Sequence, residues 1–130
     1  MLKRREMLAL LIDWGYRSDG VPVRLFGAWT TLPAGPATLA AKTGSVIVPV
    51  AIRRGDDGMF HVSFSDVISV PSSSDADVAR ATQAIADALE STIAAAPQQW
   101  YSFKPMWPPT SEEASQLAAR AAAMLGLAPS

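Results

Sequence analysis

The chain contains no cysteine. Disulfide staples, thiol nucleophiles and thiolate metal centres are therefore excluded, and stability has to come from packing. It has a single histidine, His61, so chemistry that needs two imidazoles is out of reach. No apolar run approaches the roughly 18 residues that a bilayer-spanning helix requires. Charge is sparse and balanced: 18% of residues are charged and the net charge is −1, which gives no whole-chain attraction to nucleic acid. Metal-ligating side chains do not cluster, and no metal is expected. The N-terminus joins a basic start to the apolar "MLALLI", but Asp13 follows at once and no small-residue cleavage site appears, so it does not read as a signal peptide.

What is present is a chain of 130 residues, 49% apolar, the size of one domain with one core. "MLALLI" (7–12) is apolar at every position, the pattern of a central parallel strand covered on both faces. "GYRSDG" (15–20) reads as a turn, and "VPVRLF" (21–26) as a strand with Pro22 at its start or edge. Pro36 suits the first turn of a helix because its missing N–H is not needed there. That helix runs from Ala37 to Lys42 and stops at Gly44. "SVIVPVAI" (45–52) predicts a second buried strand with an end or bulge at Pro49. "RRGDDG" (53–58) predicts a hairpin turn into "MFHVSFSDVISV" (59–70), whose period of two marks a half-buried strand.

From "PSSSDADVARATQAIADALESTIAAAP" the longest helix is expected, with the serines and Asp75 as cap candidates, acids in its first turn and Val78, Thr82, Ile85, Leu89 and Ile93 on one stripe. A segment dense in rings and prolines follows (Trp100, Tyr101, Phe103, Trp107), read either as a packing strap or as an interfacial surface. A last helix begins near Thr110 or Ser111. The class is α/β, a sheet of about four strands flanked by helices. "MLKRRE" reads as the charged tail of a helix placed directly before a core strand, so further elements are expected upstream.

Catalytic constellations are thin. His61 and Asp66 have a His-x4-Asp spacing, which the glycerolipid acyltransferases use to deprotonate an acceptor hydroxyl. On a strand, however, side chains five apart point to opposite faces and lie about 16 Å from one another, too far to share a proton. No Gly-x-Ser-x-Gly elbow is present. "GPATLAAKTG" lacks the order of a phosphate loop. Catalytic residues are therefore assigned to none of these positions.

In their order, "ALLIDWGYRSDGVPVRLFG", "LPAGPATLAAKTGSVIVPVAIRR" and "PQQWYSFKPMW" resemble the C-terminal half of the bacterial lipid A biosynthesis acyltransferase family, which includes the phosphatidylinositol mannoside acyltransferases. The resemblance rests on Asp13, Val21 to Gly27, Gly35-Pro36-Ala37, Thr43-Gly44 with Val48-Pro49-Val50, and Pro97 to Trp107. It implies transfer of a fatty acyl group from acyl-CoA or an acyl carrier protein to a hydroxyl of a membrane glycolipid. It also implies peripheral residence at the cytoplasmic face of the inner membrane. The family's own His-x4-Asp dyad lies before everything matched here, so residues 1–130 are expected to be the C-terminal portion of one domain, inactive alone. "YSFKPMW" is less basic than its lipid A counterparts, which leans toward the mannoside branch. A helix start offers backbone N–H groups to an anion. The substrate-binding residues expected are accordingly Gly35 and Pro36, with Asp13, Arg17, Arg24 and Arg53. The alternative is a small soluble α/β binding module without catalysis.

Overall fold

The structure, a computed structural model, describes residues 6–13, 15–102 and 104–127. The basic cluster Lys3, Arg4 and Arg5, and Phe103 of the aromatic segment, lie outside the described residues. The order of elements is β1 (Val21–Leu25), β2 (Ala28–Leu32), α1 (Gly35–Thr43), β3 (Val46–Ile47), β4 (Val50–Arg54), β5 (Phe60–Phe64), β6 (Ile68–Ser69), α2 (Asp75–Ala95) and α3 (Ser111–Met124). A 3-10 turn at Pro97–Gln99 follows α2. The mixed α/β class is as expected. Among the described residues the strands form three separate antiparallel pairs, β1–β2, β3–β6 and β4–β5, and not one larger sheet.

β1 and β2 form a tight hairpin. Phe26 and Gly27 both have positive φ, 51° and 77°, the backbone of a two-residue turn whose twist matches that of the flanking strands. Leu25 pairs with Ala28 next to the turn. Ladder bonds alternate from there, so Pro22, opposite Thr31, falls where its missing N–H costs no bond. β2 itself was not anticipated from "AWTTL".

α2 is the helix that the rest packs on. Ser74 caps it, its side chain accepting a hydrogen bond from the Asp77 N–H. Val78, Thr82, Ile85 and Ile93 of the expected stripe are buried, together with Ala79, Ala81 and Ala86. Two apolar clusters lie against it. One joins Val21, Ala37, Ala40, Val70, Val78 and Ala81; the other joins Val23, Leu32, Ile85 and Ala86. Ile47 and Ile68, paired across β3–β6, touch both clusters and link them. α3 starts at Thr110, whose hydroxyl accepts from the Glu113 N–H, and buries Leu117 and Ala121.

Two expectations are corrected. Residues 7–12 form no strand: Met7 is 94% and Leu11 89% exposed, and only Ile12 reaches the core. An all-apolar run becomes a central strand only with neighbours on both sides, and the described residues provide none. The "SVIVPVAI" run is likewise not one buried strand. It divides at Val48 and Pro49 into β3 and β4, and β4 and β5 are exposed apart from a half-buried Ala51. Their alternation is real, but the side chains on its apolar side are exposed.

Leu25 is fully buried, so Leu25→Ala should cost about 3 kcal/mol through lost contacts and an unfilled cavity, read from the urea midpoint. Phe26→Asn should instead raise stability by about 1 kcal/mol in the same measurement, because Asn tolerates the left-handed region that Phe is strained to adopt.

Candidate functional site

Of the expected site residues, Arg17 lines a cleft that reaches Ala34, the residue before Gly35 and Pro36. This cleft of about 260 Å³ opens between the 15–20 turn and the end of β2, and Arg17, Asp19, Thr31, Pro33 and Ala34 line part of it. No side chain caps α1, and Pro36 occupies its first turn, so the N–H groups at that end are offered outward beside the cleft.

The Arg17 backbone is pinned at this place. Its N–H donates to Thr31 Oγ1 at 3.2 Å, and the Thr31 hydroxyl donates to the Arg17 carbonyl at 2.5 Å. A hydroxyl that both donates and accepts needs a close approach, which Gly20 permits: a Cβ there would stand 2.7 Å from the Thr31 Cβ. Arg120 on α3 closes the turn from the other side, donating to the carbonyls of Ser18 and Gly20 at 2.9 Å each. The Arg17 guanidinium reaches Asp19 with two contacts of 3.3 Å, both side chains largely exposed. An exposed bridge of this kind is weak and exchanges readily with another anion.

The remaining expected residues lie elsewhere. Arg24 stands at the outward edge of β1. Its backbone N–H and C=O are both engaged by the Gln83 amide at 2.9 and 3.0 Å, and its guanidinium lies 5.8 Å from the Trp29 ring centre. A second cleft, also about 260 Å³, is walled by Pro22, Trp29, Arg80, Gln83 and Ala121, and Arg24 is not among its lining residues. Arg53 is exposed on the β4–β5 hairpin, and Asp13 is half-buried ahead of the 15–20 turn.

The aromatic segment acts as the strap foreseen in one of its two readings. The Tyr16 N–H donates to the Pro105 carbonyl at 2.8 Å, the Thr30 hydroxyl donates to the Met106 carbonyl, and Trp107 Nε1 donates to the Leu25 carbonyl at 3.3 Å. Gln83, Thr31 and Arg120 escaped the sequence reading. The "VPVRL-FG-AWTTL" symmetry about Gly27 was the available sign of the hairpin that orders Thr31.

His61 does not face Asp66 in a dyad. Its Nε2 lies 3.2 Å from Asp57 Oδ1, across the β4–β5 turn and exposed. The Met59 N–H donates to the same Asp57 oxygen at 3.0 Å. That bond, and then His61, hold the Asp57 carboxyl below its ordinary 3.8. Among the described residues no group of three or more metal-ligating side chains occurs, and no helix is long and apolar enough to cross a membrane.

The model of the bacterial lipid A biosynthesis acyltransferase family matches residues 1–108. A phosphatidylinositol mannoside acyltransferase of Mycolicibacterium smegmatis is 34% identical over 100 residues, 77% of this chain and 32% of that protein. The proteins of the same name from two Mycobacterium tuberculosis strains are each 32% identical over 106 residues, 82% of this chain and 32% of theirs. The chain thus spans about a third of the length of the curated relatives it matches.

A carboxyl with a lowered pKa favours the folded turn above the ordinary carboxylate range, and that contribution is lost as pH falls through the lowered value. A carboxyl-detected NMR titration should place Asp57 below 3.8. His61→Ala should keep the greater part of the shift, because the Met59 N–H is its larger cause.

Proposed function

Because the chain belongs to the bacterial lipid A biosynthesis acyltransferase family, we propose that it carries the donor-binding and scaffold part of an enzyme that moves a fatty acyl group from a thioester to a membrane glycolipid hydroxyl. The acceptor class we propose is the phosphatidylinositol mannosides, the substrates named by the relatives, and the donor is acyl-CoA or an acyl carrier protein. Related proteins bear acyltransferase names; the activity, substrates and membrane residence of this chain are our reading.

One observation carries it: Arg17 and the uncapped start of α1 border one cleft. Both donor types present a phosphate close to the thioester arm. Backbone N–H groups at a helix start and a guanidinium supply directional, charge-assisted hydrogen bonds to such a group. Gly35 leaves open space where a side chain would begin, since no atom lies within 4 Å of the position of its absent Cβ. Pro36 fixes the first turn without using a donor. In this reading Arg17 exchanges Asp19 for the donor phosphate, and the Thr31 hydroxyl keeps the Arg17 backbone in register with α1. In this reading proton transfer from the acceptor hydroxyl falls to a dyad in the part of the domain that the relatives carry beyond the match, and the chain alone is inactive.

Radiolabelled acyl-CoA with a phosphatidylinositol mannoside acceptor tests this. The 130 residues alone should transfer nothing. The same chain joined to the part of the Mycolicibacterium smegmatis protein that it does not match should transfer. Within that active form, Arg17→Ala should raise the KM for donor about tenfold, the loss of one charge-assisted contact, with kcat nearly kept. Robust transfer by the isolated chain, or an unchanged donor KM in the variant, would overturn the reading.

A further inference from the structure

We propose that the apolar face of the β4–β5 hairpin is a docking surface for the portion of the acyltransferase domain that the relatives carry beyond the third matched here. The inference rests on family membership and goes beyond the donor site.

The register places Val50, Ile52, Phe60, Val62 and Phe64 on one face, with Val50 opposite Phe64 and Ile52 opposite Val62, and at the turn end of that face Arg54 stands opposite Phe60, its guanidinium 5.8 Å from the ring centre. The reverse face carries Arg53, His61 and Ser63. On the apolar face Ile52 is 66%, Phe60 70% and Phe64 71% exposed. A two-stranded hairpin in water is marginal by itself and gains stability only when its apolar face is covered. Here the hairpin is held at one end: the Gln99 amide engages the N–H and C=O of Arg54 at 2.8 and 2.7 Å. Such a one-sided sheet marks a surface made for a partner.

Two further observations choose the occupant. The all-apolar run at 7–12 has the pattern of a strand covered on both sides, yet no strand pairs with it among the described residues. The second concerns the free edge of β5. Because Gly55 bonds Met59 and Ser65 bonds Pro49 across the ladder, the alternate residues Phe60, Val62 and Phe64 turn their N–H and C=O groups away from β4. An unpaired edge, an unpaired run and an uncovered face all call for a strand-bearing α/β partner. The relatives carry further chain to supply it, since about two-thirds of their length lies outside the match. A lipid surface fits less well. The exposed Asp56, Asp57 and Asp66 outnumber the exposed Arg53 and Arg54, so the hairpin is net negative and repelled by anionic headgroups.

The test is binding, which requires no acyl transfer. The unmatched part of the Mycolicibacterium smegmatis protein, expressed as a separate polypeptide with the 130-residue chain, should form a 1:1 complex by size exclusion with light scattering. Ile52→Asp and Phe64→Asp should each raise its Kd at least tenfold, with unchanged circular dichroism of the free chain. Ser63→Asp on the reverse face should stay within twofold. In a single-chain fusion, hydrogen exchange at Phe60–Phe64 should slow at least tenfold relative to the isolated chain, which keeps the proposal testable if the separate polypeptide does not fold. Failure of both complex and protection would overturn it. So would a complex indifferent to positions 52 and 64, a homodimer through this face, or vesicle binding through it. A complex that forms but transfers no acyl group would leave the inference standing and refute the catalytic reading.

Discussion

The packing of β1 on α2 is the contact on which the rest of the structure depends. Val23 and Leu25 are fully buried, and Val23 meets Ile85 and Ala86 of the helix. Alanines along that face let the helix come close. Gln83 then does in hydrogen bonds what the alanines do in packing, offering its amide to the N–H and C=O of Arg24 as a neighbouring strand would. Both bonds are exposed, so they orient the strand on the helix while the apolar packing supplies the burial. The interaction therefore sets where β1 sits, and through its hairpin where β2 and the 15–20 turn sit.

From that anchor the candidate site follows in short steps. β2 presents Thr31, whose hydroxyl exchanges hydrogen bonds with the Arg17 backbone. Leu32 leads through Pro33 and Ala34 into α1, so the same strand that holds Arg17 also delivers the helix start. α3 contributes through Arg120, and the strap through Pro105, Met106 and Trp107. A site so built is rigid on its hairpin side and open to solvent on the other, a disposition suited to a charged group that arrives and leaves.

The β4–β5 hairpin obeys the same device with less support. Gln99 copies toward Arg54 the bidentate amide contact that Gln83 makes with Arg24. Among the described residues no helix covers its apolar face, which stays exposed. The contrast between the two hairpins separates local from tertiary causes: each has a well-formed turn and a good register, but only one has a core.

Much of the architecture was legible in the sequence because its causes are local. Ser74 and Thr110 as caps, Gly44 as a stop, the α2 stripe, the break at Pro49 and the turn after Arg54 are each decided within a few residues of chain. Burial was not legible for 7–12 or for β4 and β5, because an apolar pattern states what a segment prefers and not whether a neighbour exists to satisfy it. The cleft was half legible: Gly35 and Pro36 declared a helix start, and Arg17 a nearby cation. That Arg17 lines a cleft reaching Ala34, just before Gly35, while Arg24 turns toward Gln83 and Trp29 and Arg53 stands apart, was decided only by the folded chain. The sequence by itself determined the helices, their stops, most of the turns and the family, though not every strand. Tertiary structure alone decided which charges share a cleft and which apolar face stays bare, because both depend on contacts between residues tens of positions apart.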